Sequence, residues 1–198
     1  VKSFVRGAAQ IAALGASSVV LTIEGATPRT PPSDLSPLRA LPMSPAEDGL
    51  VLTTPLTWIA TAAAGVTLGA EVDFVDIDPE TYNMDPARLA EKITPNTKAV
   101  LPVHLYGQCC DMDAILGLAQ KHGFVVIEDA CHAIGAEYRG RKAGSMGAAG
   151  CFSFHEQKNM STLGEGGMIV TNDPELYERI ALYRSHCTRV YGKSTKYC

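Results

Sequence analysis

Apolar positions recur along this chain in short blocks of two different periods. Ser18–Ile23, Leu50–Thr53, Glu71–Asp76, Lys98–Val103, Phe124–Ile127 and Met168–Thr171 are brief apolar or alternating runs, the pattern of strands. Between them lie stretches of helical composition. Residues 5–14 (VRGAAQIAAL) form one, and Thr57–Leu68 (TWIATAAAGVTL) another, built of small residues that suit close packing on a sheet. Asp85 followed by Pro86 marks a helix start, the aspartate as N-cap and the proline in the first turn, and this helix runs to about Ile93. Met112–His122 is a further helix, ended by Gly123; Pro174–Ser185 is the last, with apolar Leu176, Ile180 and Tyr183. Strands alternating with helices over roughly 80 residues predict βαβ units and a mostly parallel sheet covered by helices, an α/β fold.

One stretch breaks the pattern. Glu24–Asp48 contains six prolines and no sustained period, which reads as a surface loop or linker, since so long a structureless segment is uncommon inside a compact domain. The chain therefore divides into an atypical, partly irregular N-terminal segment (1–49), an α/β domain (50–187) and a short tail (188–198).

Composition narrows the class. With 46% hydrophobic and 19% charged residues the chain has the make-up of a soluble globular protein, and a net charge of -4 gives no basic footprint for nucleic acid. No apolar run reaches the length of a membrane span. Lys2 and the alanine-rich stretch after it resemble a leader, but Arg6, Gln10 and the lack of a clean cleavage site argue against a signal peptide, so a cytoplasmic protein is expected. The six cysteines form no C-x-x-C pair and no metal-ligand spacing with the five histidines; free thiols and no metal are expected.

The candidate chemistry lies near the end of the domain. Gly192-Lys193-Ser194 resembles the end of a phosphate-binding loop, but Cys187 stands where its first glycine is needed. Gly164–Gly167 is followed by a strand rather than a helix, which removes a dinucleotide fingerprint. Phe152–Met168 (FSFHEQKNMSTLGEGGM) carries Lys158 between an aromatic-flanked strand end and a glycine run suited to close backbone approach and unusual dihedrals. Ligands of such sheets bind beyond the carboxyl ends of the strands, which here offer Thr53-Thr54, Asp76, His104, Asp129 and Ser153. A lysine nucleophile and a strand-end carboxylate are what a pyridoxal phosphate enzyme needs. Each residue alone has an ordinary reading: Lys158 as a solvated surface lysine, Asp129 as a helix cap or loop aspartate, and Trp58 as core.

The blocks TPLTWIATAAAGVTLGAEVDFVDIDPETYNMDP, ITPNTKAVLPVHLYGQCCDMDAI and EDACHAIGAEYRGRKAGSMGAAGCFSFHEQKNMSTLGEGGMIVT resemble, in that order, the DegT/DnrJ/EryC1/StrS family of sugar aminotransferases. The resemblance covers about Leu50 to Ser185. It implies the fold type I (aspartate-aminotransferase-like) large domain, with pyridoxal 5'-phosphate as cofactor. Lys158 would be the Schiff-base lysine and proton carrier, Asp129 the partner of the pyridine nitrogen, and His132 a neighbour of the phenolic oxygen. Ser153 would bind the phosphate and Trp58 would stack on the ring, with Asn159, His155 and Glu165 in supporting roles. The presence of Lys158, where sugar-deoxygenating relatives carry histidine, implies transamination. The implied partners are a glutamate or glutamine donor and a nucleotide-linked keto-sugar, in amino-sugar biosynthesis, with a homodimer in the full-length form. A cyclitol or aminobenzoate precursor as acceptor, and an inactive cofactor-binding fragment, are the other readings. Two departures stand out. Glu24–Gly49 lacks the family's Ser-Gly-Thr turn and helix, as a shifted reading frame or degenerate segment would, and the family's C-terminal small domain is expected to be missing from these residues.

Overall fold

The computed structural model describes residues 19–22, 49–184, 188–191 and 194–197. The helix expected over 5–14 and the proline-rich stretch up to Asp48 lie outside them. In chain order the elements are β1 (Val19–Thr22), β2 (Leu50–Thr53), α1 (Ile59–Val66), β3 (Glu71–Phe74), α2 (Pro86–Lys92), β4 (Thr97–Leu101), α3 (Met112–His122), β5 (Val125–Asp129), β6 (Glu137–Tyr138), β7 (Arg141–Lys142), β8 (Ala149–Ser153), β9 (Gly167–Val170), α4 (Pro174–Arg184), β10 (Thr188–Tyr191) and β11 (Ser194–Tyr197). Seven strands form one sheet in the order β1-β9-β8-β5-β4-β2-β3. Strands β3, β2, β4, β5 and β8 pair in parallel, while β9 runs antiparallel to β8 and parallel to β1.

The central strands are covered on both faces, which is why their sequences are nearly unbroken apolar runs. On one face Val51, Ala99, Leu101, Ile127, Cys151 and Ile169 pack with Ala64 of α1 and Leu176 and Ile180 of α4. On the other, Leu52, Val100 and Val126 pack with Leu89 of α2 and Met112 and Ile115 of α3. The small residues of α1 serve the close packing expected of them: a Cβ on Gly65 would lie 2.7 Å from Val72 Cγ2. Among the described residues no helix is long and apolar enough to cross a membrane.

The local signals fare well. Asp85 caps α2 by accepting from Ala87 N–H at 2.8 Å, with Pro86 in the first turn. Gly123 ends α3 in the left-handed conformation, φ 77°. Of the apolar positions expected on α4, Leu176 and Ile180 are buried and Tyr183 is half-buried; Leu182 is buried as well. The tail is not plain: β10 and β11 form an antiparallel hairpin.

The strongest anchor of the fold is Glu128, which is fully buried. Each of its carboxylate oxygens accepts two hydrogen bonds. Oε1 takes Met146 N–H at 2.6 Å and Gly147 N–H at 2.5 Å; Oε2 takes Gly144 N–H at 2.7 Å and His104 Nε2 at 2.9 Å. The His104 tautomer follows from its other nitrogen. Nδ1 accepts from Cys110 N–H at 3.2 Å, so it bears the lone pair, and Nε2 bears the proton given to Glu128. The loop wrapped on this carboxylate lies so close to the sheet that glycine is required twice: a Cβ on Gly150 would sit 2.2 Å from the Gly144 backbone, and one on Gly147 would sit 2.6 Å from Val126 O.

Three outcomes are expected in urea denaturation. Gly150→Ala costs about 3 kcal/mol, since the obstacle is backbone, whereas Gly117→Ala on exposed α3, where a Cβ meets nothing within 4 Å, gains about 0.5–1 kcal/mol. Glu128→Gln costs about 3 kcal/mol despite its matched shape, because its NH2 must face N–H donors whichever way the amide turns. Wild-type stability of either Gly150→Ala or Glu128→Gln would refute the corresponding packing or hydrogen-bond account.

Candidate active site

Adjacent residues of a strand point to opposite faces, so Glu128 and Asp129 part ways. Glu128 enters the loop side; Asp129, 6% exposed, lies on the face of Ile127 and α1. Its backbone is fixed at the carboxyl end of the sheet, where Asp129 N–H donates to Pro102 O and His104 N–H donates to Asp129 O, both at 2.9 Å. Its side chain is held twice: Thr61 Oγ1 donates to Oδ2 at 2.7 Å and Cys131 N–H to Oδ1 at 3.1 Å. A solvated loop aspartate is therefore excluded.

Ser153, half-buried, ends β8 on the same face as Cys151. Beyond it the chain makes a loop closed on itself. Phe154 N–H donates to Gly166 O at 2.7 Å, Thr162 N–H returns to Phe154 O at 3.0 Å, and His155 Nε2 meets Glu165 Oε1 at 3.4 Å. His155 and Glu165 thus close the base of the loop. Lys158 sits within it, half-buried, its N–H donating to His155 O at 2.9 Å, with Asn159 exposed beside it. The glycine run works differently from expectation. The left-handed residue is Leu163 (φ 61°), none of Gly164–Gly167 has positive φ, and Gly166 is needed for close approach to Thr162.

Electrostatics bring Lys158 to the Asp129 turn. Burial pushes the Cys131 thiol well above its usual range, Asp129 adds to this, and the Lys158 charge opposes it. His132 is held below the ordinary histidine range by partial burial and by the Lys158 charge, against the pull of Asp129. His132 also stacks on Tyr106, with ring centroids 6.3 Å apart and planes 15° from parallel. Tyr106 is 78% exposed and holds φ at 53°, a left-handed conformation uncommon for a bulky residue and frequent at functional sites. Trp58 occupies the N-cap of α1 with its side chain 76% exposed, so it is not core.

The charges of Asp129 and Lys158 thus both reach Cys131 and His132, with Ser153 at the neighbouring strand end and Trp58 at the start of the helix that holds Asp129. His104, expected at the mouth, is instead buried against Glu128. Asp76 is exposed on the β3 side, away from this group. Sequence reasoning missed Thr61. Its signal was a hydroxyl at helical spacing from Ala64 and Gly65, on the face of α1 that is otherwise small and buried. Cys109, Cys110, Cys131 and Cys151 are free thiols, as expected; Cys187 and Cys198 lie outside the described residues. Among the described residues no group of three or more His, Cys, Asp or Glu could hold a metal ion. A cavity of about 270 Å³ bordered by Ile134, Phe152 and Met168 lies across the sheet from Ser153 and is lined by none of the expected site residues.

The sequence model of the DegT/DnrJ/EryC1/StrS aminotransferase family matches residues 35–198. A pleiotropic regulatory protein of Geobacillus stearothermophilus is 48% identical over 160 residues, 81% of this chain and 41% of that one. GDP-perosamine synthase of Caulobacter vibrioides is 50% identical over 147 residues, 74% of this chain and 39% of that one. Among solved structures, the aminotransferase from Psychrobacter cryohalolentis superposes with a TM-score of 0.73 at 33% identity, covering 98% of this chain and 43% of that one. The chain spans about two-fifths of the length of the curated relatives it matches.

The apposition of Lys158 and His132 is testable without any ligand. In an NMR titration the His132 ring titrates below the ordinary value of 6.5, and Lys158→Ala moves its midpoint upward, since removing a neighbouring positive charge eases protonation. An unmoved midpoint would separate the two residues.

Proposed function

Because the chain belongs to the DegT/DnrJ/EryC1/StrS aminotransferase family and carries the fold type I large-domain sheet, we propose that it forms the cofactor-binding core of a pyridoxal 5'-phosphate-dependent sugar aminotransferase. The observation that carries this reading is the buried Asp129 carboxylate, held at a parallel-sheet carboxyl end within the electrostatic reach of the Lys158 turn. The donor set suits the group. A carboxylate for a ring nitrogen, an amine for an aldehyde, a hydroxyl for a phosphate and an exposed indole for a flat ring occur on neighbouring elements.

When bound, the cofactor supplies an electron sink for the carbanion formed beside the transferred nitrogen. The chain's own residues do the rest. Lys158 would hold the cofactor through its amine and, when free, could carry the proton between carbons; among the described residues no carboxylate forms an ion pair with it. Asp129, buried and hydrogen-bonded at both oxygens, would hold a proton on the ring nitrogen. His132, kept neutral at neutral pH by its depressed affinity for protons, offers a hydrogen bond near the phenolic oxygen rather than a charge. Ser153 Oγ would bind a phosphate oxygen, Trp58 would cover the ring and exclude water, and Asn159 would support the edge of the site.

The amino donor is glutamate or glutamine and the acceptor a nucleotide-linked keto-sugar. The name of the Caulobacter relative, GDP-perosamine synthase, supports the acceptor class. The exposed apolar side chains of Ile59 and Leu163, 73% and 96% accessible, suit burial by a second subunit, so the full-length protein acts as a homodimer.

Mixing the chain with pyridoxal phosphate, reducing with borohydride and mapping peptides by mass spectrometry should find the cofactor on Lys158. Lys158→Ala should lose both the adduct and the accompanying visible absorption. Glutamate added before reduction should diminish the adduct. Absence of any adduct, or its appearance on scattered surface lysines, would sink the reading.

A further inference from the structure

Asp129 does not orient itself: besides the Cys131 N–H, the side chain that holds it, Thr61, lies 68 positions earlier in the chain. Thr61 Oγ1 donates to Asp129 Oδ2 at 2.7 Å, and Thr57 Oγ1 lies 2.9 Å from Thr61 Oγ1. A hydroxyl has one proton. Since that of Thr61 goes to the carboxylate, the proton between the two threonines comes from Thr57, and the direction Thr57 to Thr61 to Asp129 is fixed. Inside a helix a threonine hydroxyl ordinarily bonds a carbonyl one turn back. Thr61, fully buried, spends its proton across the interface between α1 and the sheet instead.

The depth of α1 makes this possible. Gly65, one turn beyond Thr61, lets the helix sink against Val72 and Val51, where a Cβ would find Val72 Cγ2 at 2.7 Å. The same helix begins at Trp58, whose carbonyl accepts Thr61 N–H at 3.2 Å. One short helix thus supplies the exposed indole and the hydroxyl that fixes the carboxylate.

We propose that Thr61, backed by Thr57, is a positioning residue that sets the Asp129 carboxylate toward the cofactor's ring nitrogen. This rests on the cofactor reading above. With Oδ2 tied to Thr61 and Oδ1 to Cys131 N–H, rotation of the carboxylate is blocked at both oxygens, and each keeps a further lone pair for a ring N–H.

The test compares binding of pyridoxal phosphate with binding of its 1-deaza analogue, in which carbon replaces the ring nitrogen. Thr61→Val keeps the shape and removes the donor. It should weaken pyridoxal phosphate binding about tenfold, the scale of one lost hydrogen bond to a charged group, while leaving the deaza analogue unaffected. Thr57→Val should show the same selectivity with a smaller loss, and Thr61→Ser should restore the wild-type ratio. Equal weakening for both compounds, or weakening for neither, overturns the positioning role and leaves the cofactor reading standing. Wild-type protein that binds neither compound overturns the cofactor reading, and the positioning role with it. Urea midpoints of the variants, taken alongside, identify a loss of folding; if Thr61→Val fails to fold, the ratio measured on Thr57→Val decides.

Discussion

A carboxylate taken out of water must be given hydrogen bonds in its place, and Glu128 is such a group. Its four donors come from two separate loops, one holding His104 and the other running from Gly144 to Gly147. Meeting that demand draws both loops onto the end of β5. The glycines at 144, 147 and 150 are the steric condition for the loop to lie so near the strands. Asp129, the next residue, is thereby presented from a strand end that cannot shift without breaking these bonds.

Two neighbouring carboxylates so acquire different occupations. Glu128 has its hydrogen-bonding capacity filled from within and offers little to a ligand. Asp129 accepts from the Thr61 hydroxyl and the Cys131 N–H and is not ringed by backbone amides. The distinction arises from strand alternation, which sends one side chain toward a ring of backbone amides and the other toward a helix that contributes a single hydroxyl. Composition around the pair could not have assigned the parts.

What the sequence made legible was whatever is written locally. The N-cap at Asp85, the stop at Gly123 and the helix from Met112 to His122 are present where their signals stand, because capping is a short-range hydrogen-bond problem. Strand limits differ by a residue or two, since pairing partners rather than side-chain pattern decide where a ladder ends: Val125–Asp129 includes the acidic pair that apolarity alone left outside. The Thr61–Asp129 bond, the burial of His104 and the left-handed Leu163 were not legible. Each depends on a neighbour brought near by the fold, and none has a period or a composition of its own. Lys158 and the Asp129 carboxylate are legible as a nucleophile and a strand-end acid, and the family motifs assign them roles; the structure adds the Cys131–His132 turn, which feels the charge of both.

One strand in the sheet reverses direction beside β8, and that reversal governs how Lys158 is carried. Neighbouring parallel strands require a long crossover, usually a helix, to return the chain to the starting end. Antiparallel neighbours need only a loop, and β8 and β9 are joined by one that leaves and re-enters at the same edge, with Ser153 opposite Gly167 at its root. The tether of the amine is consequently local: its two anchor points, Ser153 and Gly167, are paired with each other. Residues can be gained or lost at its tip without changing the register below, so the reach of the lysine and the place of Ser153 are separately adjustable properties of the fold.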